Sequence, residues 1–123
     1  RRRSYTLTLS GGMMMRPDMW TINGRGFPDT EQLLASLNQP VSVRLSNMSM
    51  QAHPFHLHGQ SFRLLRIGSQ RLAAPLVKDT VDVAAHMGTV DLEFVAFNPG
   101  DWMFHCHKPM HMDGGMATLV KIG

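Results

Sequence analysis

Two short stretches hold six of the seven histidines of this 123-residue chain. The first is His53-Pro54-Phe55-His56-Leu57-His58-Gly59. The second is His105-Cys106-His107, followed by His111 and Met116. In an extended segment residues i and i+2 point to the same side. His56 and His58 therefore face one way. His105 and His107 do the same, with Cys106 on the opposite side. The second stretch thus offers a thiolate to one site and two imidazoles to another.

The donor types narrow the chemistry. Cys106 is the one cysteine, so no internal disulfide can form. A lone cysteine also cannot supply the several thiolates of a structural zinc site. Two histidines, one cysteine and a more distant methionine are the ligand set of a blue-copper site. On that reading His53, Cys106 and His111 are the trigonal ligands and Met116 is the weak axial one. The Cys-x4-His-x4-Met spacing lets one loop supply three of the four, and His53 comes from a neighbouring strand. The competing reading is a buried thiol among ordinary histidines. A single HxH pair would fit it; two such stretches with Cys106, His111 and Met116 at loop spacing favour a metal. His86, beside Gly88 in an expected loop, reads as a surface histidine.

The elements that must position these residues are strands. Tyr5, Leu7 and Leu9 alternate with polar residues, as do Val41, Val43 and Leu45. Val90, Leu92, Phe94 and Ala96 repeat the pattern, and Val81 and Val83 flank Asp82. Residues 62–67 and 117–122 are further strand candidates. Gly11-Gly12, Asn23-Gly24, Pro28-Asp29, Gly68-Ser69 and Asn98-Pro99-Gly100 mark turns. Only residues 30–38 could hold a short helix. Many short strands with regular turns predict an all-β antiparallel sandwich or barrel.

Length and composition bound the rest. One domain spanning residues 1–123 is expected, with residues 1–4 as a linker or tail remnant. The net charge of +3 equals the contribution of Arg1, Arg2 and Arg3, which leaves a neutral body and argues against a nucleic-acid surface. No apolar run reaches the roughly 18 residues of a membrane span. The start of the chain does not read as a signal peptide. No serine–histidine–acid arrangement suggests hydrolysis, and no glycine-rich phosphate loop is present.

The motifs resemble the C-terminal cupredoxin domain of multicopper oxidases, the family of laccases and bacterial copper oxidases. Residues 53–59 are similar to the family's HPxHLHG motif and residues 105–116 to its HCHxxxHxxxxM motif. Trp20-Thr21-Ile22-Asn23-Gly24, Lys78-Asp79-Thr80 and Asn98-Pro99-Gly100-Asp101-Trp102 also look like that domain, so the resemblance runs over nearly the whole chain. It implies a cupredoxin-like Greek-key β-sandwich. It implies type 1 copper at His53, Cys106, His111 and Met116, a type 2 ligand in His56, and type 3 ligands in His58, His105 and His107. Electrons from a small reductant, a phenol or a metal ion, would pass through Cys106 to His105 and His107 and on to a trinuclear cluster that reduces dioxygen to water. Gln60 departs from the pattern, standing where many members have a further histidine. The family's periplasmic or secreted location is implied as well.

The larger departure is one of number. The cluster needs eight histidines, and this chain holds half of them. A partner domain or a second copy of the chain would supply the other four. The alternative is a mononuclear blue-copper electron carrier or copper-binding module without oxidase activity. Two further features stay open. Most of the eleven methionines are expected to fill core gaps, while Met110 and Met112, beside His111, could bind cuprous ion. Asp79 and Asp82 are expected to orient imidazoles or cap a turn.

Overall fold

Leu7 and Leu9, Val43 and Leu45, Leu92 and Phe94 all turn their alternating side chains inward, and this period of two builds the molecule. The computed structural model describes residues 1–123, the side chain of Pro109 excepted. Eleven strands and one helix follow in the order β1 (Arg3–Met13), β2 (Arg16–Ile22), β3 (Leu33–Ala35), β4 (Pro40–Asn47), β5 (His53–Leu57), β6 (Phe62–Ile67), β7 (Gln70–Lys78), β8 (Thr80–Val83), β9 (Gly88–Val95), β10 (Gly100–Cys106), α1 (Pro109–Asp113) and β11 (Ala117–Ile122). A six-stranded sheet has the order β2-β1-β4-β9-β6-β7, and a five-stranded sheet the order β3-β11-β10-β5-β8. They form a cupredoxin-like β-sandwich. Phe55 and Phe104 meet edge to face at 5.2 Å in its core, each burial worth about 1.5–3 kcal/mol. Among the described residues, no helix is long and apolar enough to cross a membrane.

Three expectations change. The sandwich is not wholly antiparallel: β1 pairs with β4, and β3 with β11, in parallel. The long excursion from β1 to β4 leaves the chain room for the crossover a parallel pair needs. Residues 30–38 hold no helix. Leu33 and Ala35 turn inward there, Leu34 stays exposed, and the segment pairs with residues 120–122. So short a helix is marginal alone, and the open edge of β11 offers it backbone partners instead. The helix that does form is α1, inside the Cys106–Met116 segment expected to be plain loop. At the start of the chain, Arg3 and Ser4 already pair with Val41 and Ser42. The Arg2 guanidinium donates to Ser42 Oγ at 2.6 Å and to Glu93 Oε1 at 3.1 Å.

Candidate metal centre

β5 and β10 are antiparallel neighbours, with His105 opposite His56 and Cys106 opposite Phe55. This register places the two histidine motifs side by side. His53, at the start of β5, and Cys106, at the end of β10, are both fully buried. α1 brings His111 to the same point. His53 Nδ1 and His111 Nδ1 lie 3.0 Å apart, and each is 3.6 Å from Cys106 Sγ. The turn is closed by backbone bonds: Met116 N–H donates to His111 O at 3.0 Å, and Cys106 N–H donates to Met116 O at 3.1 Å. Met116 itself is fully buried. Trp20, from β2, walls the site, its ring 3.9 Å from that of His111 and edge-on to His53 at 5.3 Å.

These donors fit a metal. Bonds of about 2.0 Å to nitrogen and 2.3 Å to sulfur around a trigonal centre require donor atoms roughly 3.5 Å apart, close to the spacings found. Two imidazoles with one thiolate suit copper. Burial sets the protonation. It lowers the His53 pKa to about 4, with His111 and Lys108 adding to the effect. Burial also lowers His111, and it pushes the Cys106 thiol up. Without metal the site is neutral, so a cation binding there displaces the thiol proton. The outer nitrogens are held too: His53 Nε2 lies 2.7 Å from Ser49 Oγ, and His111 Nε2 lies 2.9 Å from Gln51 Oε1.

On the other side of Cys106 four imidazoles gather. The rings of His56, His58, His105 and His107 lie 4.7–5.9 Å apart across their close pairs. His58 Nε2 and His105 Nε2 approach to 2.9 Å. His105 Nδ1–H donates to Cys106 O at 2.8 Å, and His56 Nδ1 bonds to Asp79 O at 2.9 Å and to Thr80 Oγ1 at 3.0 Å. Both rings therefore turn Nε2 toward the cluster. Burial lowers His58, with His56 and His107 adding to it, and burial lowers His105 as well. His58 and His107 are exposed; His105 is buried.

Several residues fall elsewhere. His86 is exposed on a turn. Asp79 orients His56 with its backbone carbonyl; its carboxylate accepts from Thr80 instead. Asp82 is exposed and contributes nothing to either cluster. Core packing, the expected role of most methionines, is not what they do. Met14 is 98% exposed, Met110 is 82% exposed, and Met13, Met15, Met48 and Met50 are exposed around one cleft of about 420 Å³. Ser49 and Gln51 carry no metal-ligand signature, and no spacing rule finds them. Trp20 was marked only by its neighbours in the motif.

Residues 3–123 match the family model described as multicopper oxidase. The chain is 39% identical over 110 residues to a multicopper oxidase of Mycobacterium tuberculosis, covering 89% of this chain and 21% of that protein. It is 32% identical over 130 residues to an iron transport multicopper oxidase of Candida albicans, covering 85% and 21%. The chain thus spans about a fifth of the length of these relatives. Among solved structures, the blue copper oxidase of Nitrosomonas europaea superposes with a TM-score of 0.87 at 27% identity, over 98% of this chain and 43% of that one.

Proposed function

Because this chain belongs to the multicopper oxidase family, we propose that it is the domain through which such an oxidase takes electrons from a reductant, and that its four-histidine face is one wall of the dioxygen-reducing centre. Cys106 carries this reading. Its side chain lies with His53 and His111, while its backbone is bonded directly to His105 and His107. Copper bound at these places supplies one-electron transfer at the buried site and four-electron reduction of dioxygen to water at the histidine cluster.

The chain's own residues supply the setting. Burial of His53, Cys106 and Met116 keeps water from the donors. From Cys106 Sγ two covalent routes lead to the cluster, one through each flanking residue. The Cys106 carbonyl adds a third, through its hydrogen bond to His105 Nδ1. His56 and His105, each tied at Nδ1, hold Nε2 ready.

The exposed imidazoles call for a second cupredoxin surface, from a partner domain or from another copy of the chain. A two-fold axis would present the same patch twice and bring together eight histidines. The reductant the surface favours is cuprous ion, because Met110 and Met112 flank His111 and thioether sulfur is a soft donor. The periplasm or the extracellular medium is the proposed location, on family resemblance.

The test is the copper content and dioxygen consumption of the desalted, copper-loaded chain. About one copper per blue monomer, with dioxygen consumed only after a second cupredoxin domain is added, supports the partner-domain form. About 2.5 coppers per chain in a dimer, from two type 1 sites and one shared three-copper cluster, supports self-assembly. A chain that binds copper without a blue band overturns the reading. A blue chain that consumes no dioxygen under any assembly would make it an electron carrier.

A further inference from the structure

The segment between β4 and β5 alternates: Met48, Met50 and Gln51 are exposed, whereas Ser49 is buried against the metal centre. Ser49 Oγ lies 2.7 Å from His53 Nε2, 2.8 Å from Asn47 Oδ1 and 3.0 Å from Gln51 O. The last two are carbonyl oxygens, which only accept. A hydroxyl has one proton to give. When either of these oxygens takes it, Ser49 Oγ meets the imidazole as an acceptor. That arrangement protonates His53 on Nε2 and leaves Nδ1 bare, the form a cation at Nδ1 requires.

Asn47 makes this arrangement stiff. It is fully buried. Its Nδ2 donates to Gln51 O at 2.8 Å and to Val83 O at 3.2 Å, and its Oδ1 also accepts from Ser49 N–H at 2.9 Å. On the second imidazole, His111 Nε2 donates to Gln51 Oε1 at 2.9 Å. The two Nδ1 atoms face each other at 3.0 Å beside the thiol.

We propose that Ser49 and Gln51 are positioning residues, through which one short segment fixes the tautomer of both imidazoles at the copper site. The inference rests on the reading that His53, Cys106 and His111 hold copper. The two arms differ in strength. Water replaces the amide of exposed Gln51 more readily than the hydroxyl of buried Ser49. Loss of a partner that orients a metal-binding histidine costs about 10- to 100-fold in metal affinity. Ser49 should fall in that range and Gln51 below it.

The experiment uses the full chain with ¹⁵N-labelled histidine. In the metal-free state, nitrogen shifts should show His53 and His111 as Nε2–H tautomers. Cupric ion alone is then titrated in, with affinity, visible spectrum and reduction potential as readouts. Ser49→Ala should give a mixed His53 tautomer, a 10- to 100-fold loss of affinity and a shifted blue band, with Ser49→Thr restoring all three. Gln51→Ala should shift His111 and cost less than tenfold, and Gln51→Glu should restore it. An Nδ1–H tautomer of His53 in the native chain overturns the proposal, as does an unchanged Ser49→Ala. If Ser49→Ala does not fold, the exposed Gln51→Ala decides, and an unchanged His111 tautomer overturns it. If the native chain binds no copper, the reading of the site falls, while the tautomers still decide the positioning roles.

Discussion

Cys106 divides the molecule into two unlike clusters. On its side-chain face, His53 and His111 meet the thiol in a closed space, with every donor buried and the outer nitrogens already bonded. On its backbone side four imidazoles stand together, two of them open to solvent. The first cluster is complete within one chain, so folding alone encloses it. The second has donors without enclosure. On the proposed function, histidines left exposed at such density are the half of a site that a second surface would finish. Burial, more than the identity of the donors, separates a site from half of one.

The deepest test of this division removes what the two sides share. Cys106→Ser should abolish the blue charge-transfer band and all dioxygen reduction in the assembled oxidase. A blue protein after that change would remove Cys106 from the site. His107→Ala should split the two regions: the blue band stays, and dioxygen reduction falls by orders of magnitude. Oxidase activity that survives His107→Ala would take this residue out of the cluster.

Much of this division was legible in the residues, and the reasons differ by place. Residues 62–67 and 117–122, the further strand candidates, form strands with those bounds. The His-x-His spacing separates the two faces because a strand leaves no other choice. Residues 30–38 misled because local preference there is weak and tertiary pairing decided the outcome. Ser49 and Gln51 were invisible because neither residue type is a metal ligand, and their role appears only once His53 and His111 are in place. The methionines misled for the opposite reason. Their hydrophobicity suggests burial, yet at Met13, Met14 and Met15 the β1–β2 turn carries them into solvent.

Acid should separate the regions next. In the metal-free chain His53 titrates near 4, against about 6.5 when unfolded. Between these values the unfolded chain binds the extra proton, so stability rises with pH and is lost as pH falls from about 6.5 to 4. The loss is about 3 kcal/mol. Urea unfolding at pH 7 and pH 4.5 measures it. His53→Gln should flatten the slope far more than His58→Gln, because His58 is exposed and its shift is screened. Equal slopes in the two variants would contradict the difference in burial.

Two glycines give a finer probe. At Gly59 φ is +85°, and a Cβ there would enter the Trp102 ring close to His58. At Gly114 a Cβ would meet Asp18 O and lie 2.7 Å from Trp20 Cδ1, beside the ring that covers His111. Each change to alanine should cost about 1–3 kcal/mol, measured by thermal unfolding. Gly114→Ala should move the blue band and Gly59→Ala should not. A blue band that moves in both would show that the two regions do not respond separately.

The smallest effect concerns entry to the buried side. Met110 is exposed and Met112 half-buried on either side of His111, whose ring is the enclosed cluster's nearest approach to solvent through the exposed Gln51. Thioethers favour cuprous ion but offer a phenol only apolar contact. Replacing both methionines with leucine preserves that apolar contact and removes the soft donors. Cuprous-ion oxidation by the assembled oxidase should therefore fall several-fold in kcat/KM, about 1 kcal/mol, while phenol oxidation holds. An equal loss on both substrates would mean that the pair shapes the surface around His111 and does not bind the ion. The choice of reductant would then be made elsewhere, either at the exposed cleft of Met13, Met15, Met48 and Met50 or on a partner's surface.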